Sequence, residues 1–114
     1  RDLHSFPTRR SSDLNLYTTI GVVVTNGRLS KSQAAKAASM AHDGFARAMR
    51  PVHTMWDGDT IFLLATGEVE VDVNVVGILG ARTMARAIAN AVLYAEPAYG
   101  LPAAQSLKER KKRS

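Results

Sequence analysis

Two threonines and a pair of aspartates are the residues of this sequence best suited to chemistry. Thr18 and Thr19 begin an apolar, β-branched stretch, and Asp57-Gly58-Asp59 starts 39 residues after Thr18, directly before a second apolar stretch. A threonine hydroxyl is fully protonated at neutral pH, but a free α-amine on the same residue can act as its base. Because such an amine titrates at about 7.7–8.0, part of it is unprotonated near neutral pH. The pattern makes Thr18, or its neighbour Thr19, a candidate nucleophile that becomes the first residue of a new chain, although from spacing alone a strand threonine bonded to the backbone is favoured.

The two aspartates have more than one interpretation. Asp57 and Asp59 flank a glycine, so a tight turn would direct both carboxylates to a common side, where they could orient an amine and a hydroxyl. With His53 they could instead hold a divalent cation. The spacing alone favours a third interpretation, a polar turn leading into a strand, where aspartate and glycine are both common. The spacing of His53, and of His42 before it, matches no metal motif of defined geometry. Structural histidines are therefore favoured, and neither a metal nor a cofactor is expected.

Two continuous apolar stretches indicate the strands that position these residues. Residues 18–25 and 60–66 are rich in β-branched and other apolar residues without alternation, which predicts strands buried on both faces. Asn26-Gly27 and Gly67-Glu68 are expected to turn the chain after them.

Two helices are expected to alternate with these strands. Ser30 and Gln33 form a capping-box pattern that predicts a helix ending before Pro51, and Asp72 is the expected N-cap of a second helix over about residues 73–95. The residues expected to face the core are Ala34, Ala38, Ala41, Phe45 and Ala48 on the first helix, and Val76, Leu79, Thr83, Met84, Ala87, Ile88 and Ala91 on the second. The order strand, helix, strand, helix predicts an α/β fold.

The composition excludes several function classes. The chain has 114 residues and no cysteine, so it forms one domain at most and has neither disulfides nor thiolate sites. Its longest apolar stretches fall short of a membrane span, so no membrane partner is expected. The net charge of +5 lies mostly in residues 108–114, which carry five positive charges and one negative, whereas residues 15–107 carry seven of each sign. A solvated basic end is therefore expected, rather than a nucleic-acid partner.

Three segments are expected along the chain. Residues 1–14 resemble the translation of a common sequencing-adapter oligonucleotide and are expected to be a non-native scar. Residues 15–103 are expected to form part of a larger domain, preceded in the gene product by an upstream portion. Residues 104–114 are expected to be a basic, solvated tail.

Several ordered motifs together resemble one enzyme family. They are Thr18-Thr19-Ile20-Gly21-Val22-Val23, Ala41-His42-Asp43-Gly44-Phe45-Ala46-Arg47-Ala48, Arg50-Pro51-Val52-His53-Thr54, Asp57-Gly58-Asp59-Thr60-Ile61-Phe62 and Ala65-Thr66-Gly67. The series is similar to the small C-terminal subunit of the DmpA family, the L-aminopeptidase/D-amino-acid amidase-esterases. Relatives of that family include the β-aminopeptidases and the nylon-oligomer hydrolases.

The resemblance implies a self-processing N-terminal-nucleophile hydrolase that cleaves amide bonds of small peptides or amino-acid amides through an acyl-enzyme. The cut would fall between Tyr17 and Thr18, making Thr18 the nucleophile, with Asp57 and Asp59 contacting it. The implied fold is a four-layer αββα sandwich in homo-oligomers. Tyr17 stands where relatives of this branch commonly have asparagine. The oxyanion-stabilising and substrate-binding residues of the family lie mostly in the upstream large subunit, the implied partner, so the chain alone is expected to be inactive.

Two further expectations follow from the sequence. A non-catalytic α/β module whose apolar strands complete a partner's sheet is the alternative to an enzyme. In either case the isolated chain is expected to be poorly soluble, because its apolar strands lack sheet neighbours. A cytoplasmic location is expected.

Overall fold

The computed structural model describes residues 18–113 as a two-stranded parallel sheet covered on one side by helices. The elements in chain order are β1 (Ile20–Gly27), α1 (Lys31–Ala48), β2 (Thr60–Val69), α2 (Val73–Tyr94) and α3 (Ala104–Arg113). The predicted α/β class and the strand-helix-strand-helix order are confirmed, and α3 is an additional helix in the segment expected to be a solvated tail. The expectations for residues 1–14 and for a cut after Tyr17 lie outside the described residues.

Parallel pairing of β1 with β2 brings the beginnings of both strands to the same end of the sheet. The register runs from Ile20 opposite Thr60 to Thr25 opposite Ala65, then shifts so that Gly27 pairs with Val69. Each candidate site segment immediately precedes one of these strands, so the register places the threonines beside the aspartates.

Both strands end later than the turn signals predicted. β1 continues through Asn26-Gly27, and β2 continues through Gly67 to Val69. Beyond the register shift the Arg28 amide donates to the Val69 carbonyl at 2.7 Å, and the Arg28 guanidinium bonds to Glu70 at 2.5 Å. These contacts join residues about forty positions apart, and they override the local turn preference.

The helix caps form as the sequence predicts. The Gln33 amide donates to Ser30 Oγ at 3.2 Å, and the Ser30 amide donates to Gln33 Oε1 at 2.9 Å, which completes the capping box. The Asn74 amide donates to Asp72 Oδ1 at 2.8 Å at the beginning of α2. α1 ends at Ala48, before the cis Arg50–Pro51 bond.

Small residues let α1 and α2 pack closely. A Cβ atom at Gly44 would lie 2.9 Å from Met84 Cβ and 3.1 Å from the Ala85 amide nitrogen, so α2 occupies the space that a side chain would need. The buried residues of α1 are Ala37, Ala41, Gly44 and Phe45. Those of α2 are Val76, Gly77, Gly80, Ala81 and Met84.

The predicted helix faces need correction. On α1 the buried face is centred on Ala37 and Gly44, whereas Ala48, expected in the core, is exposed. On α2, Leu79 was expected in the core but remains half exposed. The helices meet through glycine and alanine. Because these residues differ little in hydrophobicity from many of their neighbours, the hydrophobic pattern of the sequence does not identify the buried face.

One face of the sheet is uncovered in the part of the chain that the structure describes. Alternate residues of both strands point away from the helices and are about 60% exposed or more; they are Ile20, Val22, Val24, Phe62 and Leu64. Burial on both faces, predicted from the continuous apolar stretches, is therefore wrong for residues 18–113. Of the four layers that the family resemblance implies, this stretch holds one sheet and one helical layer.

The close approach of α1 and α2 predicts that Gly44→Val destabilises the chain. The added side chain must displace α2, which costs about 1–3 kcal/mol in the free energy of unfolding. Urea denaturation at low protein concentration measures this cost. Ala46→Val, on the exposed side of the same helix, is the control; equal losses in both variants would contradict the packing described.

The uncovered sheet face predicts that the isolated chain self-associates through it. Replacing Val24 and Leu64 with lysine removes apolar surface that is 66% and 59% exposed, so light scattering should fall while the far-ultraviolet circular dichroism stays unchanged. A wild-type chain that is monodisperse and melts cooperatively as a monomer would show this expectation to be wrong.

Candidate functional site

The sequence-predicted site residues meet in one small cavity at the shared end of the two strands. The cavity has a volume of about 190 Å³. Its lining residues are Thr18, Thr19, Met49, Pro51, Val52, Asp57 and Asp59. The first two precede β1, the last two precede β2, and the other three come from the loop that follows α1.

Asp59 fixes the backbone next to Thr18. The Thr19 amide donates to Asp59 Oδ1 at 2.9 Å, and the Thr60 amide donates to the Thr19 carbonyl at 3.0 Å. Thr19 is therefore bonded through its amide and its carbonyl to the segment that begins β2. A partly buried hydrogen bond to a carboxylate is stronger than one between neutral groups, so this contact sets the position from which Thr18 projects.

Asp57 closes a turn on its own side of the cavity. The Thr54 amide donates to Asp57 Oδ2 at 2.6 Å, and the Asp57 amide donates to the Thr54 carbonyl at 3.1 Å. The Trp56 amide bonds to Thr54 Oγ1 at 3.3 Å. Each of the two carboxylates thus has one oxygen held by a backbone amide, which orients both side chains toward a cavity they share.

Gly58 leaves room for the Thr18 hydroxyl. A Cβ atom at position 58 would lie 3.3 Å from Thr18 Oγ1, closer than most side-chain contacts. The glycine between the two aspartates therefore allows the turn to approach the hydroxyl, a role that the spacing of the carboxylates alone did not reveal.

The two threonine hydroxyls have different environments. Thr19 Oγ1 donates to Met49 Sδ at 3.7 Å and is partly buried. Thr18 is exposed, and its hydroxyl bonds to no group within residues 18–113. Of the two candidates, the Thr19 hydroxyl has a structural contact, while the Thr18 hydroxyl lies at the cavity with no partner among residues 18–113.

The two histidines contact each other. The His42 and His53 rings pack edge to face with centroids 5.7 Å apart, and His42 also contacts Phe45 at 5.3 Å. Across residues 18–113 no group of three or more histidine, cysteine or acidic side chains is placed to hold a metal. The described residues therefore give no support to the alternative of a metal site at His53, Asp57 and Asp59.

Sequence reasoning missed the apolar wall of the cavity. Met49, Pro51 and Val52 line it, whereas Pro51 was interpreted only as the residue that stops α1. The cis Arg50–Pro51 bond belongs to this wall. The sequence signal for this wall was a proline a few residues before the acidic turn. The cis geometry of its peptide bond cannot be inferred from sequence.

Comparisons with known proteins indicate the family of the chain. The sequence model of Peptidase family S58 matches residues 4–105. An uncharacterized aminopeptidase of Mycobacterium tuberculosis is 42% identical over 100 residues, covering 75% of this chain and 29% of the relative. A Mycobacterium leprae protein of the same description is 45% identical over 102 residues, covering 76% and 28%.

A second group of relatives matches a shorter stretch. The 6-aminohexanoate-oligomer endohydrolase of Paenarthrobacter ureafaciens is 39% identical over 54 residues, covering 47% of this chain and 15% of the relative. The chain spans less than a third of the length of the curated relatives it matches. Since the family model extends over most of its residues, the chain belongs to peptidase family S58, the DmpA family that its ordered motifs resemble.

Proposed function

We propose that this chain is the nucleophile-bearing part of a self-processing amide hydrolase that acts on small peptides or amino-acid amides. The observation that carries the proposal is the exposed hydroxyl of Thr18, which bonds to no group within residues 18–113 and lies against Gly58 in a cavity shared with Asp57 and Asp59. The names of the relatives support amide hydrolysis, because an aminopeptidase and an endohydrolase of 6-aminohexanoate oligomers both cleave amide bonds.

The proposed reaction begins once the peptide bond before Thr18 has been cut. The liberated α-amine of Thr18 accepts the hydroxyl proton while Oγ1 attacks the substrate carbonyl carbon, and the tetrahedral intermediate collapses as that proton passes to the leaving amine. The acyl group is then an ester on Thr18. Water, deprotonated by the same amine, attacks this ester, and return of the proton to Oγ1 releases the acid.

The aspartates position the nucleophile rather than attack the substrate. Asp59 bonds to the Thr19 amide and so fixes the residue next to the α-amine. Asp57 is held in the turn by Thr54, and its charge at the cavity favours the protonated amine during each proton transfer.

The remainder of the full-length protein supplies the other half of this active site in the proposal. An upstream large subunit of the same precursor would provide the oxyanion donors and substrate contacts, and it would cover the uncovered sheet face. Removing oxyanion donors typically costs about 10²–10³ in rate, so this chain alone is expected to be inactive. The proposed assembly is a cytoplasmic homo-oligomer that binds neither nucleic acid nor membrane.

A non-catalytic module is the second candidate. The uncovered apolar face of β1 and β2 is the observation that favours it. Such a face can pack against a partner and complete its fold without any catalytic residue. An active assembly whose activity disappears when Thr18 is changed would exclude this candidate.

The first prediction from this proposal concerns the nucleophile. The chain is expressed as a fusion. It is placed after the portion of the M. tuberculosis relative that the alignment with this chain does not include. Subunit formation is followed by intact-mass spectrometry. Thr18→Ala should stop processing and lower amidase activity by roughly 10³-fold or more. Thr19→Ala should still be processed; a Thr18→Ala fusion that is cut before residue 18 would refute the assignment.

A second prediction separates the charge of Asp59 from its hydrogen bond. Asp59→Ala leaves the Thr19 amide without its partner and should cost about 1–3 kcal/mol in the free energy of unfolding. Asp59→Asn keeps a hydrogen-bond acceptor for the Thr19 amide and should lose less stability than Asp59→Ala. The kcat of the Asp59→Asn enzyme should still fall, because the negative charge is removed. Urea denaturation and steady-state kinetics on the same fusion measure both effects, and equal stability of the two variants would contradict the described contact.

A further inference from the structure

Three arginine side chains line one cavity on the helical layer. The cavity has a volume of about 520 Å³, which is within the size range of small-molecule sites. Its lining residues are Arg47, Leu79, Arg82, Thr83, Ala85 and Arg86. Arg47 belongs to α1 and the others belong to α2, so the cavity lies where the two helices meet and no strand residue contributes to it.

The close contact of the two helices brings these arginines together. A Cβ atom at Gly44 would lie 3.1 Å from the Ala85 amide nitrogen, and Arg47 follows Gly44 by slightly less than one helical turn. On α2, Arg86 is the residue after Ala85, and Arg82 lies four positions before Arg86, on the same helix face. The contact at Gly44 therefore places one arginine of α1 beside two arginines of α2.

The positive charges of this cavity are not paired with carboxylates within residues 18–113. Arg47, Arg82 and Arg86 are all exposed, and none of them forms an ion pair in that stretch. Asp43 lies four positions before Arg47 on α1, but no ion pair joins the two. Arg50 follows three positions after Arg47 and adds positive rather than negative charge. Like charges four positions apart on a helix repel each other, so a bound anion would relieve an existing repulsion.

We propose that this cavity binds a small oxyanion that carries two or more negative charges, supplied by phosphate or carboxylate groups. Each guanidinium offers several N–H donors in a planar fork, and this fork matches the oxygen atoms of both kinds of group. Thr83, which also lines the cavity, carries a hydroxyl as a further donor. Leu79 and Ala85 supply apolar surface around these polar groups, so the lining holds donors for an anion and no carboxylate that would repel one.

The arrangement of charges favours a small ligand over an acidic segment of a protein. An extended acidic segment needs basic residues spaced along its length. The next positions on the arginine-bearing face of α2 are Ile78, four residues before Arg82, and Asn90, four residues after Arg86. Both are uncharged, so the positive charge is confined to the cavity rather than drawn out along the helix.

The cavity is separate from that of Thr18, but α1 connects the two. Arg47 lies two residues before Met49, whose sulfur accepts the hydrogen bond of the Thr19 hydroxyl. An anion held between Arg47 and α2 therefore ties the end of α1 to α2 directly before the wall of the candidate active site. Binding at this cavity needs neither processing nor hydrolysis, so it is independent of the proposed function.

Calorimetric titration of the chain with pyrophosphate and, separately, with citrate tests the proposal. The chain by itself is suitable, because helical residues alone line the cavity and self-association through the uncovered sheet face leaves it open. We expect saturable binding of one anion per chain for at least one of the two probes, and an affinity that falls as the salt concentration rises. The pyrophosphate arm reports phosphate chemistry and the citrate arm reports carboxylate chemistry.

Single substitutions show whether the anion occupies this cavity. Arg86→Gln should raise the dissociation constant at least about tenfold, because a charge-assisted contact is lost. Arg86→Lys keeps the charge without the planar fork and should lose less affinity. Arg110→Gln is the matched control, since it removes the same charge from an exposed position of α3 outside the cavity, and it should leave the affinity unchanged. Far-ultraviolet circular dichroism checks that each variant keeps the fold.

Three results would overturn the proposal. The first is that neither pyrophosphate nor citrate binds. The second is an equal loss of affinity in Arg86→Gln and Arg110→Gln, which would assign binding to net charge or to the basic helix α3 rather than to the cavity. The third is that a peptide of four aspartates binds more tightly than either small anion, which would assign the cavity to an acidic segment of a protein.

Discussion

The parallel pairing of two strands is the constraint on which the site depends. Residues forty positions apart become neighbours only because β1 and β2 run in the same direction with their beginnings aligned. The bond from the Thr19 amide to Asp59 then fixes that alignment at the point where chemistry is proposed. A slip of one residue would turn every side chain of one strand to the opposite face and separate the threonines from the aspartates.

The same architecture leaves much apolar surface uncovered within residues 18–113. Its buried core consists largely of alanine and glycine contacts, and Phe45 is the one large side chain fully buried within residues 18–113. Apolar side chains remain exposed on the outer sheet face and along α2, and such surface is a candidate contact site. The helical layer therefore supports the site from one side, while the other face of the sheet is uncovered within residues 18–113.

Local features were predictable from the sequence, and non-local ones were not. The caps at Ser30 and Asp72 were predicted because a cap depends on side chains within three residues of the helix end. The later strand ends were missed because they depend on contacts between residues far apart in the sequence. One example is the bond between Arg28 and Val69, which lie on either side of α1 in the sequence. The sequence correctly indicated that β1 and β2 are apolar on both faces, but the burial it predicted for the outer face is not found within residues 18–113.

The site shows the same division. Thr18, Asp57 and Asp59 could be identified as candidates from their types and order in the sequence. The structure brings all three to one cavity. The sequence alone could not distinguish the two threonines. The structure does so, because the Thr19 hydroxyl donates a hydrogen bond to Met49. The role of Gly58 was equally hidden, since it depends on a distance to Thr18 rather than on a pattern.

The most direct test of the account is to locate the acyl group during turnover. The processed fusion is mixed with an ester or amide substrate, quenched in acid, and mapped by peptide mass spectrometry. The account predicts that the acyl mass is found on the peptide that begins with Thr18, attached at its side-chain oxygen. An active enzyme whose acyl group is found on another residue would contradict it.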